Sequence, residues 1–256
     1  MHVRALHADV VVAQSAVWQT TCTLVRGGEE GFVIDSPVYP DELEALPALA
    51  AQARFPVSGL LATHGDWDHL LGRLAFGQAA LGCAETTAAR LTARPGEAQR
   101  ELRAFDAEHL VERSAPLSLG QVQALPVPGL LESGDHELEL HPADGHTEDG
   151  MAVWAPWARV LVCGDYLSPA ELPVLGDGGT RSGYVATLRR LEPLVEQAEH
   201  VVPGHGSVLD ATRAAAILRE DLAYLEALPD AALPLARRTG AQRRVHEANV
   251  AAVAQR

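Results

Sequence analysis

Four runs of β-type residues in this chain each stop at a loop that carries histidine or aspartate beside glycine. No other feature limits the available folds as much. The densest case is the apolar run 57–62, followed by Thr63-His64-Gly65-Asp66-Trp67-Asp68-His69, which puts four potential metal ligands within six residues. Run 138–141 precedes Asp144-Gly145-His146-Thr147, run 160–164 ends at Asp165, and run 201–202 leads through Pro203-Gly204 to His205. Imidazole nitrogen and carboxylate oxygen are the donors that Zn²⁺, Mn²⁺ and Fe²⁺ accept. Buried without partners, such groups would each cost several kcal/mol, roughly. A bound cation removes that cost. A rigid sheet aims the loops at its strand ends, so in layered α/β architectures those loops are where sites assemble.

These four loops, in this order, make the chain resemble the metallo-β-lactamase-fold hydrolase superfamily. Its pattern is an H-x-H-x-D-H loop, then G-H-T, G-D and G-H loops. The resemblance runs over 9–206 and includes an early strand ending Phe32-Val33-Ile34-Asp35-Ser36-Pro37. It implies an α/β fold: a four-layer αββα sandwich of two mixed β-sheets flanked by helices. It also implies a binuclear centre, in which one cation takes His64, Asp66 and His146 and the other takes Asp68, His69 and His205, with Asp165 bridging. Asp68 is additionally the candidate catalytic carboxylate. The implied cofactors are two divalent transition-metal ions, zinc first, with manganese or iron as alternatives.

Asp66 departs from the pattern, because the superfamily carries histidine there; this loop reads H-x-D-x-D-H. An added carboxylate makes the donor set more anionic, which favours harder ions relative to zinc and weakens Lewis acidity. A carboxylate at this position is similar to the di-iron flavoprotein branch, which has glutamate. The alternative for Asp66 is a solvent-facing carboxylate outside the donor set.

A net charge of −14, with arginines paired only at 189–190, 237–238 and 243–244, argues against a nucleic-acid partner. All 20 basic residues are arginine and the one asparagine is Asn249, a bias from which no mechanism is read. The chain starts Met1-His2-Val3-Arg4 with no apolar leader, and no apolar run nears the ~20 residues of a membrane helix. The expectation is therefore a cytoplasmic protein with no membrane partner and a small-molecule substrate, with a homodimer left open. Cys22, Cys83 and Cys163 form no C-x-x-C and are expected as reduced, buried packing residues.

At 256 residues and 47% hydrophobic content, one domain over 1–256 is expected, with C-terminal helices in 210–255. Periodicity predicts strands near 8–13, 19–26, 31–35, 57–63, 121–126, 136–141, 151–155, 159–164 and 200–202. Helices are predicted near 41–53, 69–80, 84–93, 97–110, 182–198, 210–227 and 241–255. Segment 94–118 is expected either to cover the site mouth or to form outer helix. Candidate pocket residues are Trp67, Tyr166, Tyr184 and Arg181, with half-buried packing as the alternative for both tyrosines. The functional expectation is a hydrolase that uses metal-bound hydroxide on an ester, thioester, lactone or amide of a small metabolite. The alternative is a non-haem iron redox enzyme of the di-iron or persulfide-oxidising type.

Overall fold

Alternation along the buried strands shows how the layers are built. In strand β2 (Val10–Gln14) of the computed structural model, Val10 and Val12 face one apolar cluster, and Val11 and Ala13 face another. The same period of two splits β10 (Met151–Ala155): Met151, Val153 and Ala155 point one way, Ala152 and Trp154 the other. A strand apolar on both faces needs a cover on each. The protein meets this need with two sheets back to back and helices outside, giving three apolar interfaces between four layers. The structure describes residues 1–254, so residue 255 of the expected last helix lies outside the described residues.

The first sheet runs in chain order through β1 (His2–His7), β2, β3 (Thr21–Gly27), β4 (Glu30–Asp35), β5 (Gly59–Ala62), β6 (Ala80–Ala84) and β7 (Val122–Leu125). It is antiparallel up to β4 and parallel from β4 to β7. The parallel steps need crossovers. These are supplied by α1 (Pro40–Ala53), the short α2 (Gly72–Ala75), and the pair α3 (Glu85–Ala93) and α4 (Glu97–His109). The second sheet is ordered β13-β12-β11-β10-β9-β8, built from β8 (Gly129–Ser133), β9 (His136–Pro142), β10, β11 (Val160–Val162), β12 (His200–Val202) and β13 (Leu209–Asp210). Only β11 and β12 pair in parallel, through α5 (Arg181–Gln197); α6 (Ala211–Ala227) and α7 (Gly240–Ala254) complete that side.

The expected four-layer αββα sandwich of two mixed sheets is the observed fold. Four strands departed from the periodicity reading. β1 is exposed along nearly its whole length, so it carries no apolar signal. β6, Ala-Leu-Gly-Cys-Ala, is fully buried except at Ala80 but lacks β-branched and aromatic residues. β8 and the two-residue β13 were also unforeseen. The helix expected over 69–80 is only the four residues of α2, because the chain must turn back into β6.

Backbone hydrogen bonds stitch the two sheets together where the four loops emerge. Met151 N donates to Thr63 O (2.7 Å), Thr21 N to Gly204 O (2.8 Å), and Thr20 and His205 form an isolated bridge. The loop after β5 in one sheet is thereby brought against the loops after β9, β11 and β12 in the other.

Candidate metal centre

Each of the seven expected donor residues arrives from a strand end. His64 and Asp66 follow β5, and a single 3-10 turn, Trp67–His69, turns Asp68 and His69 inward. His146 lies between β9 and β10, Asp165 after β11, and His205 after β12. All seven come together. His64 Nε2 and His146 Nε2 each lie 3.5 Å from Asp66 Oδ2. His205 Nε2 is 3.4 Å and His69 Nε2 3.8 Å from Asp68 Oδ2. Asp165 stands between the two sets: its Oδ2 is 3.4 Å from both His146 and His205 and 3.9 Å from His64, and its Oδ1 is 3.2 Å from His69. Among the described residues, three overlapping groups have donor atoms within 4.8 Å of one another: His64, Asp66 and His146; Asp68, His69 and His205; and His64, His69 and Asp165.

The ring orientations have local causes. His146 Nδ1 is 2.9 Å from Val174 O and His205 Nδ1 is 3.3 Å from Trp18 O; a carbonyl can only accept, so these nitrogens donate. Thr63 Oγ1 donates to Asp35 Oδ2 (2.9 Å) and so accepts from His64 Nδ1 at 3.1 Å. His69 Nδ1 is 3.0 Å from Asp35 Oδ2. Nδ1 of His64, His146 and His205 is thus hydrogen-bonded behind the ring and that of His69 stands beside the Asp35 carboxylate, leaving the Nε2 atoms turned to the common centre. Gly204 is required for close approach: a Cβ there would collide with Asp165 Oδ1.

Nε2 of His64, His69 and His146 and Oδ1 of Asp165 are buried with no hydrogen-bond partner. Each such atom costs about 1–3 kcal/mol. Nitrogen and carboxylate donors left bare around one centre are what divalent transition metals ligate, so the residues fit the implied cations. Without a cation, charge accumulates. Burial alone would lower the His146 pKa, but Asp66 and Asp165 outweigh it and raise it to about 9. Against the same burial, Asp165 and Asp68 raise His205 to about 10. Burial would also raise the Asp165 and Asp66 pKa values; the facing histidines win and hold both carboxyls well below their usual range.

Trp67 packs edge-on to Trp18 and tilted against Phe105 of α4, with ring centroids 5.7 and 5.0 Å away. Trp67, expected in the pocket, is therefore backed by two further rings, and α4, inside segment 94–118, flanks the site. Tyr166 and Tyr184 are 2% and 1% exposed, so both are buried rather than half-buried. The Tyr166 hydroxyl accepts from His146 N (2.9 Å), and that of Tyr184 donates to Asp165 O (2.8 Å), so both hold the ligand loops from beneath. The Arg181 guanidinium donates to Leu228 O and is not part of the cluster. Cys163 is buried and packs against Tyr166 O and Val202 O.

Three supporting residues had no role in the sequence reading. Asp35 accepts from Thr63 N (2.8 Å) as well as Thr63 Oγ1. Asp149 accepts from Gly65 N (2.9 Å), and Arg90 of α3 reaches both Asp149 and Asp66. The strand end at Asp35 was visible; nothing local distinguishes Arg90 or Asp149.

The family model described as "Metallo-beta-lactamase superfamily" matches residues 16–235. A metallo-beta-lactamase type 2 from Bacillus sp. (strain 170) is 33% identical over 85 residues, 31% of this chain and 32% of that protein. A solved metallo-beta-lactamase family protein from Thermus thermophilus superposes with TM-score 0.68 at 20% identity, covering 87% of this chain and 81% of that one. A stereoselective inverting sec-alkylsulfatase from Pseudomonas sp. gives TM-score 0.67 at 14% identity, covering 88% of this chain and 42% of that one. The two solved structures share the fold. Among the described residues, no helix is long and apolar enough to cross a membrane.

Proposed function

This chain belongs to the metallo-beta-lactamase superfamily, and from that premise we propose that it is a binuclear metal-dependent hydrolase of a small-molecule ester, thioester, lactone or amide. The observation that carries the proposal is the set of four buried, unpartnered donor atoms converging on one centre. His64, Asp66 and His146 would hold one cation, Asp68, His69 and His205 the other, and Asp165 would lie between both. When bound, such cations supply Lewis acidity and lower the pKa of water, zinc being the first expectation.

The chain's own groups do the rest. Hydrogen bonds at Nδ1 fix the imidazoles of His64, His146 and His205 in one orientation, so these donors need no reorganisation. Asp68 Oδ2 faces the centre from the loop that also carries His64, placing a carboxylate where it can hold a proton during bond cleavage. Trp18 and Trp67, backed by the buried Phe105, present apolar surface for the non-reacting part of a substrate.

The test combines elemental analysis with screens of ester, thioester, lactone and amide panels. Up to two zinc or manganese ions per chain and turnover of one panel are expected. Asp165→Ala should lose both ions and activity, while His136→Ala, outside the cluster, should keep them. Full metal content in Asp165→Ala would refute the bridging role. A preparation that holds iron, cycles between oxidation states and turns over no panel would favour the redox alternative.

A further inference from the structure

Asp66 is the residue that departs from the superfamily pattern, and its carboxylate has a buried partner from another element. Arg90 is 7% exposed, with Nη2 2.8 Å from Asp66 Oδ1 and Nη1 2.9 Å from Asp149 Oδ1. Asp149 is itself buried and fully used: Oδ1 also accepts from Thr147 Oγ1 (2.9 Å), and Oδ2 accepts from Gly65 N (2.9 Å), next to His64. The two oxygens of Asp66 therefore do different things. Oδ1 is held by Arg90, and Oδ2 faces His64 and His146, 3.5 Å from each Nε2.

We propose that Arg90 is a positioning residue of the metal centre: by holding Oδ1 it makes Asp66 a one-oxygen ligand, so that Asp66 serves as a single-atom donor in place of a histidine. This rests on the binuclear reading above. A free carboxylate can chelate through both oxygens, which suits larger, harder ions of higher coordination number; a single oxygen suits a tetrahedral ion such as zinc. With Oδ1 committed to a charge-assisted bond, the second mode is closed. Arginine suits the task because it stays charged at any working pH and its planar fork can serve two carboxylates at once. The shift toward manganese or iron implied by the extra carboxylate is thereby offset.

Occupancy ratio is the right readout, because losing Arg90 affects absolute affinity in opposite directions. Loss of orientation weakens binding, and loss of a nearby positive charge strengthens it. Freeing the second Asp66 oxygen pushes the ratio one way only, toward manganese. Arg90→Gln alone would strand the buried Asp149 charge, so the main variant is Arg90→Gln/Asp149→Asn, which removes one charge of each sign. With equal free Zn²⁺ and Mn²⁺, its bound zinc-to-manganese ratio by elemental analysis should fall about tenfold below the parent, on the scale at which partners of ligands tune metal sites. In an Asp66→His background, the same pair of changes should alter the ratio less than about twofold, since there is no carboxylate left to restrain. If the main variant does not melt cooperatively, Arg90→Lys keeps the charge, loses the fork, and should shift the ratio the same way by a smaller factor. A folded variant with the parent's ratio overturns the proposal. A parent that takes up neither ion overturns the binuclear reading instead, and that failure is visible before any Arg90 variant is made.

Discussion

Asp35 shows how much of the centre depends on a side chain that does not face it. It closes β4, accepts from Thr63 N and Thr63 Oγ1, and stands 3.0 Å from His69 Nδ1. Through Thr63 it also sets the acceptor that His64 Nδ1 meets. One carboxylate therefore orients two imidazoles, one in each group of donors. Asp35→Ala should weaken metal binding about 10- to 100-fold, the usual effect of losing a partner behind a ligand. It should also cost about 1–3 kcal/mol of stability by leaving Thr63 N buried and unpaired. Chelator competition measures the first effect and denaturant melts the second. Lost stability with unchanged metal affinity would make Asp35 a folding residue only.

At the scale of elements, α7 reaches the centre without touching it. It begins five residues beyond the stretch matched by the family model. From it, Gln242 Oε1 accepts from Leu172 N (2.7 Å), and Asn249 Oδ1 accepts from Leu175 N (3.0 Å) while its Nδ2 donates to Pro173 O (2.6 Å). Arg237, just before α7, donates to Ser168 O and Glu171 O. The loop so gripped holds two of the ring-bearing segments: Val174 O accepts from His146 Nδ1, and Ser168 Oγ donates to His205 O. The chain's one asparagine, unremarkable in the composition, is 1% exposed at the middle of this clasp. Asn249→Ala should cost about 1–3 kcal/mol for the stranded backbone groups. Hydrogen exchange should rise at the Leu172 and Leu175 amides and leave those of β10 protected. Exchange raised equally across both sheets would mean general destabilisation rather than a released loop.

For the molecule as a whole, the centre couples stability to metal and to pH. The ordinary histidine value is 6.5, and in the metal-free protein His146 and His205 are raised to about 9 and about 10. A raised folded-state value gives stability that is complete below about 6.5 and lost as pH climbs through the raised values. Cation binding needs neutral imidazole, so affinity moves the opposite way. The difference in Tm between zinc-loaded and chelator-stripped protein should therefore widen from about pH 6 to about pH 9. A constant or narrowing difference would show that these histidines do not exchange protons for metal.

What the sequence determined by itself was local in origin. The apolar runs at 10–13 and 151–155 and the ligand loops at His64, His146, Asp165 and His205 are written in neighbouring residues, and the order of those loops carried the resemblance that implied the sandwich and the seven-residue cluster. Where the local signal was weak, tertiary structure decided. β1 is exposed and pairs only along one edge of its sheet; β6 is a strand because β5 and β7 supply its hydrogen bonds, despite its small residues. The second rank of the site was invisible for the same reason. Arg90 meets Asp149 across 59 positions and Asn249 meets Pro173 across 76, and no periodicity or spacing encodes such pairs. A ligand loop can be recognised from its own residues, but the charge and rigidity that tune it come from side chains that only folding brings near.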